Sequence, residues 1–93
     1  MHALLVTLDI DPSRADEAMN LLKTFAVPMI SSGEGFVSGT WFRSADGARG
    51  HSLILFNDEA SARAGAERAA EGPPPGAPTS FVSAEVFEVV AQA

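Results

Sequence analysis

The run Phe36-Val37-Ser38-Gly39-Thr40-Trp41-Phe42-Arg43, the polar stretch 44–50, and His51-Ser52-Leu53-Ile54-Leu55-Phe56 together read as a β-hairpin. Both flanking runs are rich in β-branched and aromatic residues. Asp46-Gly47 between them is the strongest short-range hairpin signal a sequence carries. With Asp46 and Gly47 as the turn residues, Phe42 faces His51, Trp41 faces Ser52 and Gly39 faces Ile54. Gly50 permits a bulge or a longer loop.

Upstream, Ala3-Leu4-Leu5-Val6-Thr7-Leu8 is a strand that residues 9–11 end, and Pro12 suits a first helical turn. Ser13 and Asp16 have capping-box-like spacing, and Asp11 is an equally good N-cap. Ala15, Ala18, Met19, Leu22, Phe25, Ala26 and Met29 then recur at steps of three and four, which predicts an amphipathic helix over about residues 12–32. Pro28 lacks an N–H and crowds the Thr24 carbonyl, so a kink or a broken last segment is expected there. Downstream, Asn57 or Asp58 caps a second helix over about 58–71. Its apolar residues are nearly all alanine, which predicts close packing. Gly72 stops it, 72–80 is a stiff connector through Pro73-Pro74-Pro75, and a last strand spans about 81–90.

The order β-α-β-β-α-β, with right-handed crossovers, gives a ferredoxin-like α+β fold. Both helices lie on one face of a four-stranded antiparallel sheet, in the spatial order fourth, first, third, second. Yet both sheet faces read as apolar. Leu4, Val6 and Leu8 oppose Ala3, Leu5 and Thr7, while Val37 and Trp41 oppose Phe36 and Phe42. Ile54 and Phe56 oppose Leu53 and Leu55, while Val82, Val86 and Val90 oppose Phe81, Phe87 and Val89. Two helices cover one face, and a soluble monomer does not leave the other bare. A second copy of the sheet is the expected cover. A standard two-fold interface buries roughly 800 Å² per partner. At about 25 cal/mol per Å² its gross gain is tens of kcal/mol before association costs. The C-terminal tail or the proline segment is the alternative cover.

Composition narrows the function. The chain has 93 residues, expected to form one domain (1–93), with 6 basic against 12 acidic residues and a net charge of -6. Scattered basic residues and an acidic balance argue against nucleic acid or an anionic membrane as partner. There is no cysteine, hence no disulfide or thiol chemistry. Met1-His2-Ala3 begins no basic leader and no apolar run reaches membrane length, so a cytoplasmic location is expected. No spaced His/carboxylate set supports a metal, and no glycine-rich loop between strand and helix supports a nucleotide.

The βαββαβ plan, the Gly35-Phe36-Val37-Ser38-Gly39-Thr40 run and Leu53-Ile54-Leu55-Phe56-Asn57 before Asp58-Glu59-Ala60 resemble the dimeric α+β barrel superfamily, most closely its antibiotic-biosynthesis-monooxygenase-like branch. The resemblance spans nearly the whole chain. It implies a homodimer and a small-ligand cavity between sheet and helices in each subunit. Cofactor-independent oxygenation of aromatic polyketides and haem degradation both occur in that superfamily. The active-site patterns carry over poorly. Such oxygenases combine Asn, Trp and Tyr, and this chain has no tyrosine. Haem-degrading relatives use a histidine on the second helix, absent from Ala60 to Glu71, and an asparagine late in the first strand, where this chain has Thr7.

Several side chains are candidates for chemistry. His51 starts the third strand near the end of the first, so Asp9 could orient its imidazole as an acid–base pair. The plainer reading is that both are strand-end residues facing water. Trp41, the single tryptophan, could line a cavity with Phe25, Met29 and Arg43, or fill the core or the dimer seam. The expected function is binding or oxidation of a small apolar or aromatic metabolite without a cofactor. A non-catalytic dimer of the same fold, structural or stress-related, is the alternative. A proton-transfer role for His51 with Asp9 is the third.

Overall fold

A computed structural model describes residues 1–93. Strand β1 (His2–Ile10) leads through a 3-10 turn (Pro12–Arg14) into α1 (Ala15–Leu21), a π-helical segment (Leu22–Ala26) and α2 (Val27–Ser31). The hairpin β2 (Phe36–Arg43) and β3 (Arg49–Phe56) follows, then α3 (Glu59–Ala70) and β4 (Thr79–Glu88). The sheet is antiparallel with four strands in the order β2-β3-β1-β4, the order expected from the sequence. The helices share one face of it.

The hairpin register is the one the turn predicts: Phe42 pairs with His51, Trp41 with Ser52, Gly39 with Ile54. The loop itself is longer than two residues. Ser44 N–H donates to the Arg49 carbonyl and Gly47 N–H to the Ser44 carbonyl. The Asp46 carboxylate accepts from Ser44 Oγ (2.6 Å) and from Ala48 N–H (2.9 Å). Within this loop only Gly47 takes a positive φ, 75°, where a left-handed residue closes the turn. Gly50 stays in register opposite both Leu8 and Arg43.

Two bulges revise the face assignments. Val37 has no partner between the Phe36–Phe56 and Ser38–Leu55 pairs, and Val82 none between Phe81–Leu8 and Ser83–Thr7. A bulge shifts the alternation by one residue. Phe36 and Phe81 therefore join Trp41, Ala84 and Val86 on the helix side, while Val37 and Val82 are exposed. The buried core is Leu4, Val6, Ile54, Phe56 and Ala62. β1 also runs further than expected, because Asp9 and Ile10 still pair with Ser80 and Thr79.

The first helical arm shows what Pro28 does. The π turn sends Val27 N–H to the Leu22 carbonyl, five residues back. That widened turn lies just ahead of a residue that would otherwise crowd the Thr24 carbonyl. The Thr24 hydroxyl donates back to the Asn20 carbonyl at 2.8 Å. One wide turn advances the inward face by about one residue. Ala18, Met19, Leu22, Ala26 and Ile30 are turned inward, and Phe25 and Met29 stand 62% and 55% exposed. The expectation that Phe25 and Met29 face the sheet assumed an uninterrupted 3.6-residue period.

α3 behaves as its alanines predict. Asp58 caps it, accepting from Ser61 N–H at 2.7 Å, and these hydrogen bonds hold the Asp58 carboxyl below its ordinary value. The helix packs on β1, β3 and β4, with Ala62 fully buried and Ala66 and Ala69 against the core. A β-carbon at Gly65 would come within 3.1 Å of both Leu4 and Phe56. Ala66→Leu is expected to destabilise by roughly 1–3 kcal/mol through overpacking, measured as a lower denaturant midpoint at unchanged slope. A neutral result would mean that α3 is loosely docked.

Candidate functional site

Trp41 and Arg43 occupy alternate positions of β2, so both project from the helix-facing side. Trp41 packs against the core, and its ring lies over Gly39, the preceding residue on the same face. A side chain at position 39 would collide with that ring. The indole Nε1 is shielded from solvent and has no hydrogen-bond partner. A buried donor without an acceptor costs about 1–3 kcal/mol. Gly39 was not among the residues singled out from sequence. The signal for it is a glycine two residues before the single tryptophan on one strand.

Above this part of the sheet lies the first helical arm, with Ala18 buried and Ile30 against the core. α2 rests on β2, while α1 and the π segment stand farther from the strands. Where the arm begins, an open cleft of about 620 Å³ lies between it and the hairpin end, lined by Pro12, Ala15, Arg43, Ser44, Ala45, Asp46 and Gly47. Arg43 is exposed and takes part in none of the three ion pairs, which join Arg14 to Glu17, Arg49 to Asp9 and Arg63 to Glu59. Asp46, the acidic residue of the cleft, is turned back onto the hairpin loop. Its hydrogen bonds from Ser44 and Ala48 hold its carboxyl below the ordinary aspartate value.

Trp41 and Arg43 share the helix-facing side of β2, but Arg43 lines the open cleft and Trp41 packs on the core, while Phe25 and Met29 are exposed on the helical arm. The structure does not join His51 to Asp9. The residue opposite His51 is Thr7, whose hydroxyl lies 3.1 Å from His51 Nδ1 in a hydrogen bond. The imidazole stacks on Phe42 with ring centroids 5.2 Å apart. Asp9 is one pleat further along, opposite Arg49, with its carboxylate 3.2 Å from the guanidinium. His51 and Asp9 also share the helix-free face, away from Trp41. No three His, Asp or Glu side chains cluster as metal ligands would.

On that helix-free face, Leu5, Leu53, Leu55, Phe42 and Phe87 form an apolar band, edged by Ser38, Thr40, Ser83 and Glu85. Phe42, Leu53 and Phe87 are 47%, 38% and 41% exposed. Neither the proline connector nor the tail covers the band, and Val90 is itself 87% exposed. No helix is long and apolar enough to cross a membrane.

No protein-family model matches the sequence, and no curated protein is significantly similar to it. Solved structures do resemble it. A monooxygenase from the ActVA-Orf6 gene of Streptomyces coelicolor, determined with the ligand nanaomycin D, superposes with a TM-score of 0.64 at 18% identity, over 99% of this chain and 89% of that one. Rv0793 from Mycobacterium tuberculosis superposes with a TM-score of 0.58 at 13% identity, over 100% and 99%. At these identities the likeness is one of fold: the chain shares the ferredoxin-like α+β fold of these two proteins.

Proposed function

We propose that this protein is a homodimer whose subunits each bind a small aromatic metabolite between β2 and the first helical arm, in a monooxygenase-like manner without a cofactor. The observation that carries this reading is Trp41. Its ring lies over Gly39 on the helix-facing side, and its N–H is shielded from solvent and has no partner. An aromatic ligand with an oxygen acceptor stacks on such a ring and satisfies that donor. The arm over β2 contains a π segment, a frequent companion of functional sites. The ligand-bound monooxygenase of the same fold supports the same class of ligand.

Dimerisation through the helix-free face rests on surface area as well as on the apolar band. The chain exposes 5809 Å². A compact monomer of its 9.7 kDa mass exposes about 5,100 Å². The excess fits an unpaired interface. In this reading Phe42, His51 and Thr7 are seam residues, and neither His51 nor Asp9 acts as acid or base.

The test uses the neutral flat aromatic anthraquinone-2-carboxamide. Titration is expected to quench the single tryptophan with micromolar affinity, about 8 kcal/mol. By calorimetry, Trp41→Ala should weaken binding about tenfold or more while leaving the dimer mass unchanged. Oxygen uptake with bound aromatics then separates a monooxygenase-type activity from binding alone. The non-catalytic reading draws support from the separation of His51 and Asp9. It predicts neither quenching nor oxygen uptake.

A further inference from the structure

We infer that Asp46-Gly47 is a site of aspartate isomerisation that Ser44 holds shut: when the loop opens, Asp46 passes through a cyclic succinimide to isoaspartate. The chemistry needs only water. The Gly47 backbone nitrogen attacks the Asp46 side-chain carboxyl carbon, and the new N–C bond closes the succinimide ring. The Gly47 amide proton and the carboxyl hydroxyl leave as water. A second water then opens the ring at either carbonyl. Opening at the side-chain carbonyl restores aspartate, and opening at the backbone carbonyl routes the chain through Cβ as isoaspartate. Glycine makes the attack accessible, because no Cβ crowds the nitrogen. The chain has one Asp-Gly pair and no Asn-Gly pair. Asp46 is exposed on a loop, the class of segment that opens locally at low cost. In the closed loop both reacting groups are occupied. Gly47 N–H donates to the Ser44 carbonyl at 2.8 Å. The carboxylate accepts from Ser44 Oγ at 2.6 Å and from Ala48 N–H at 2.9 Å. The same bonds favour its ionised form, which has no hydroxyl to release. Ser44 is common to both restraints, and its Oγ also accepts from Arg49 N–H at 3.0 Å, which anchors it at the base of the hairpin. Isoaspartate would add one carbon to the backbone within the wall of the cleft that Arg43 also lines.

The experiment incubates the full chain in warm neutral buffer beside a peptide of residues 42–50, in which no folded loop restrains the pair. Isoaspartate is measured with a protein isoaspartate methyltransferase and placed in the sequence by electron-transfer fragmentation. The peptide is expected to convert, and the folded chain to convert about tenfold or more slowly, the protection one charge-assisted hydrogen bond supplies. Ser44→Ala should raise the rate of the folded chain most of the way to that of the peptide. Ser44→Thr and Ser44→Val have nearly the same shape and differ in the hydroxyl. The threonine variant should keep the slow rate and the valine variant should lose it. Circular dichroism confirms which variants are folded, and the threonine–valine comparison serves if alanine disturbs the hairpin. A folded wild-type chain that converts as fast as the peptide would overturn the inference. So would folded Ser44→Ala and Ser44→Val chains that convert no faster than the wild type, or isoaspartate mapped to other aspartates and not to Asp46.

Discussion

Leu53→Asp is expected to leave the protomer folded and to take the dimer apart. Leu53 lies mid-strand on β3, between Thr40 and Leu5, near the middle of the helix-free face. It is 38% exposed in the single chain, so a carboxylate there remains hydrated in the monomer. Against a second sheet it would be stripped of water with no cation opposite. An uncompensated buried charge costs at least about 3 kcal/mol. A two-fold axis places the substitution in the interface twice. The dissociation constant should then rise by roughly 10⁴-fold. Sedimentation at micromolar concentration should change from twice the 9.7 kDa chain mass to the chain mass itself. Leu53→Ala, which removes area without adding charge, should weaken association far less. A wild-type chain that sediments as a monomer would end the argument from the bare apolar face. So would a Leu53→Asp variant that sediments as a full dimer.

The same face shows how far the sequence can be read. The Asp46-Gly47 turn fixes which residues meet across the hairpin, because each strand position is counted from it. Trp41 opposite Ser52 and Phe42 opposite His51 follow directly. Element order fixes the sheet order for similar reasons of connectivity. What escapes is any insertion that shifts a period by one. The bulges at Val37 and Val82 move Phe36 and Phe81 to the core, and neither carries a glycine or proline to announce it. The π turn ahead of Pro28 moves Phe25 and Met29 outward. Proline signals a disturbance but not whether the helix breaks or widens. The pairing of His51 with Asp9 is missed by a single pleat, since β1 continues to Ile10 and sets Thr7 opposite His51. That Arg43 shares the helix-facing side with Trp41, by contrast, follows from strand alternation alone once the hairpin register is known.

Gly39→Ala should disable the ligand site with a change of one methyl group. A β-carbon at this position would enter the space of the Trp41 ring, and the adjacent backbone belongs to a paired strand that cannot easily yield. The indole must therefore leave its rotamer and lift toward the helical arm. Off-rotamer and overpacked arrangements cost about 1–3 kcal/mol. Gly39 has an ordinary negative φ, so alanine introduces no backbone strain, and the whole effect passes through the ring. Three results are expected together. The denaturant midpoint falls by an amount within that range. Tryptophan emission shifts to the red as the ring meets water. Affinity for anthraquinone-2-carboxamide drops as far as in Trp41→Ala, because the stacking surface is lost in either case. The double variant Gly39→Ala/Trp41→Ala separates packing from function. With the ring removed, the added methyl has nothing to collide with, so the double variant should be no less stable than Trp41→Ala alone. If Gly39→Ala is neutral in stability, emission and binding, the ring does not rest on the strand as described. The ligand site built on that contact would then be wrong.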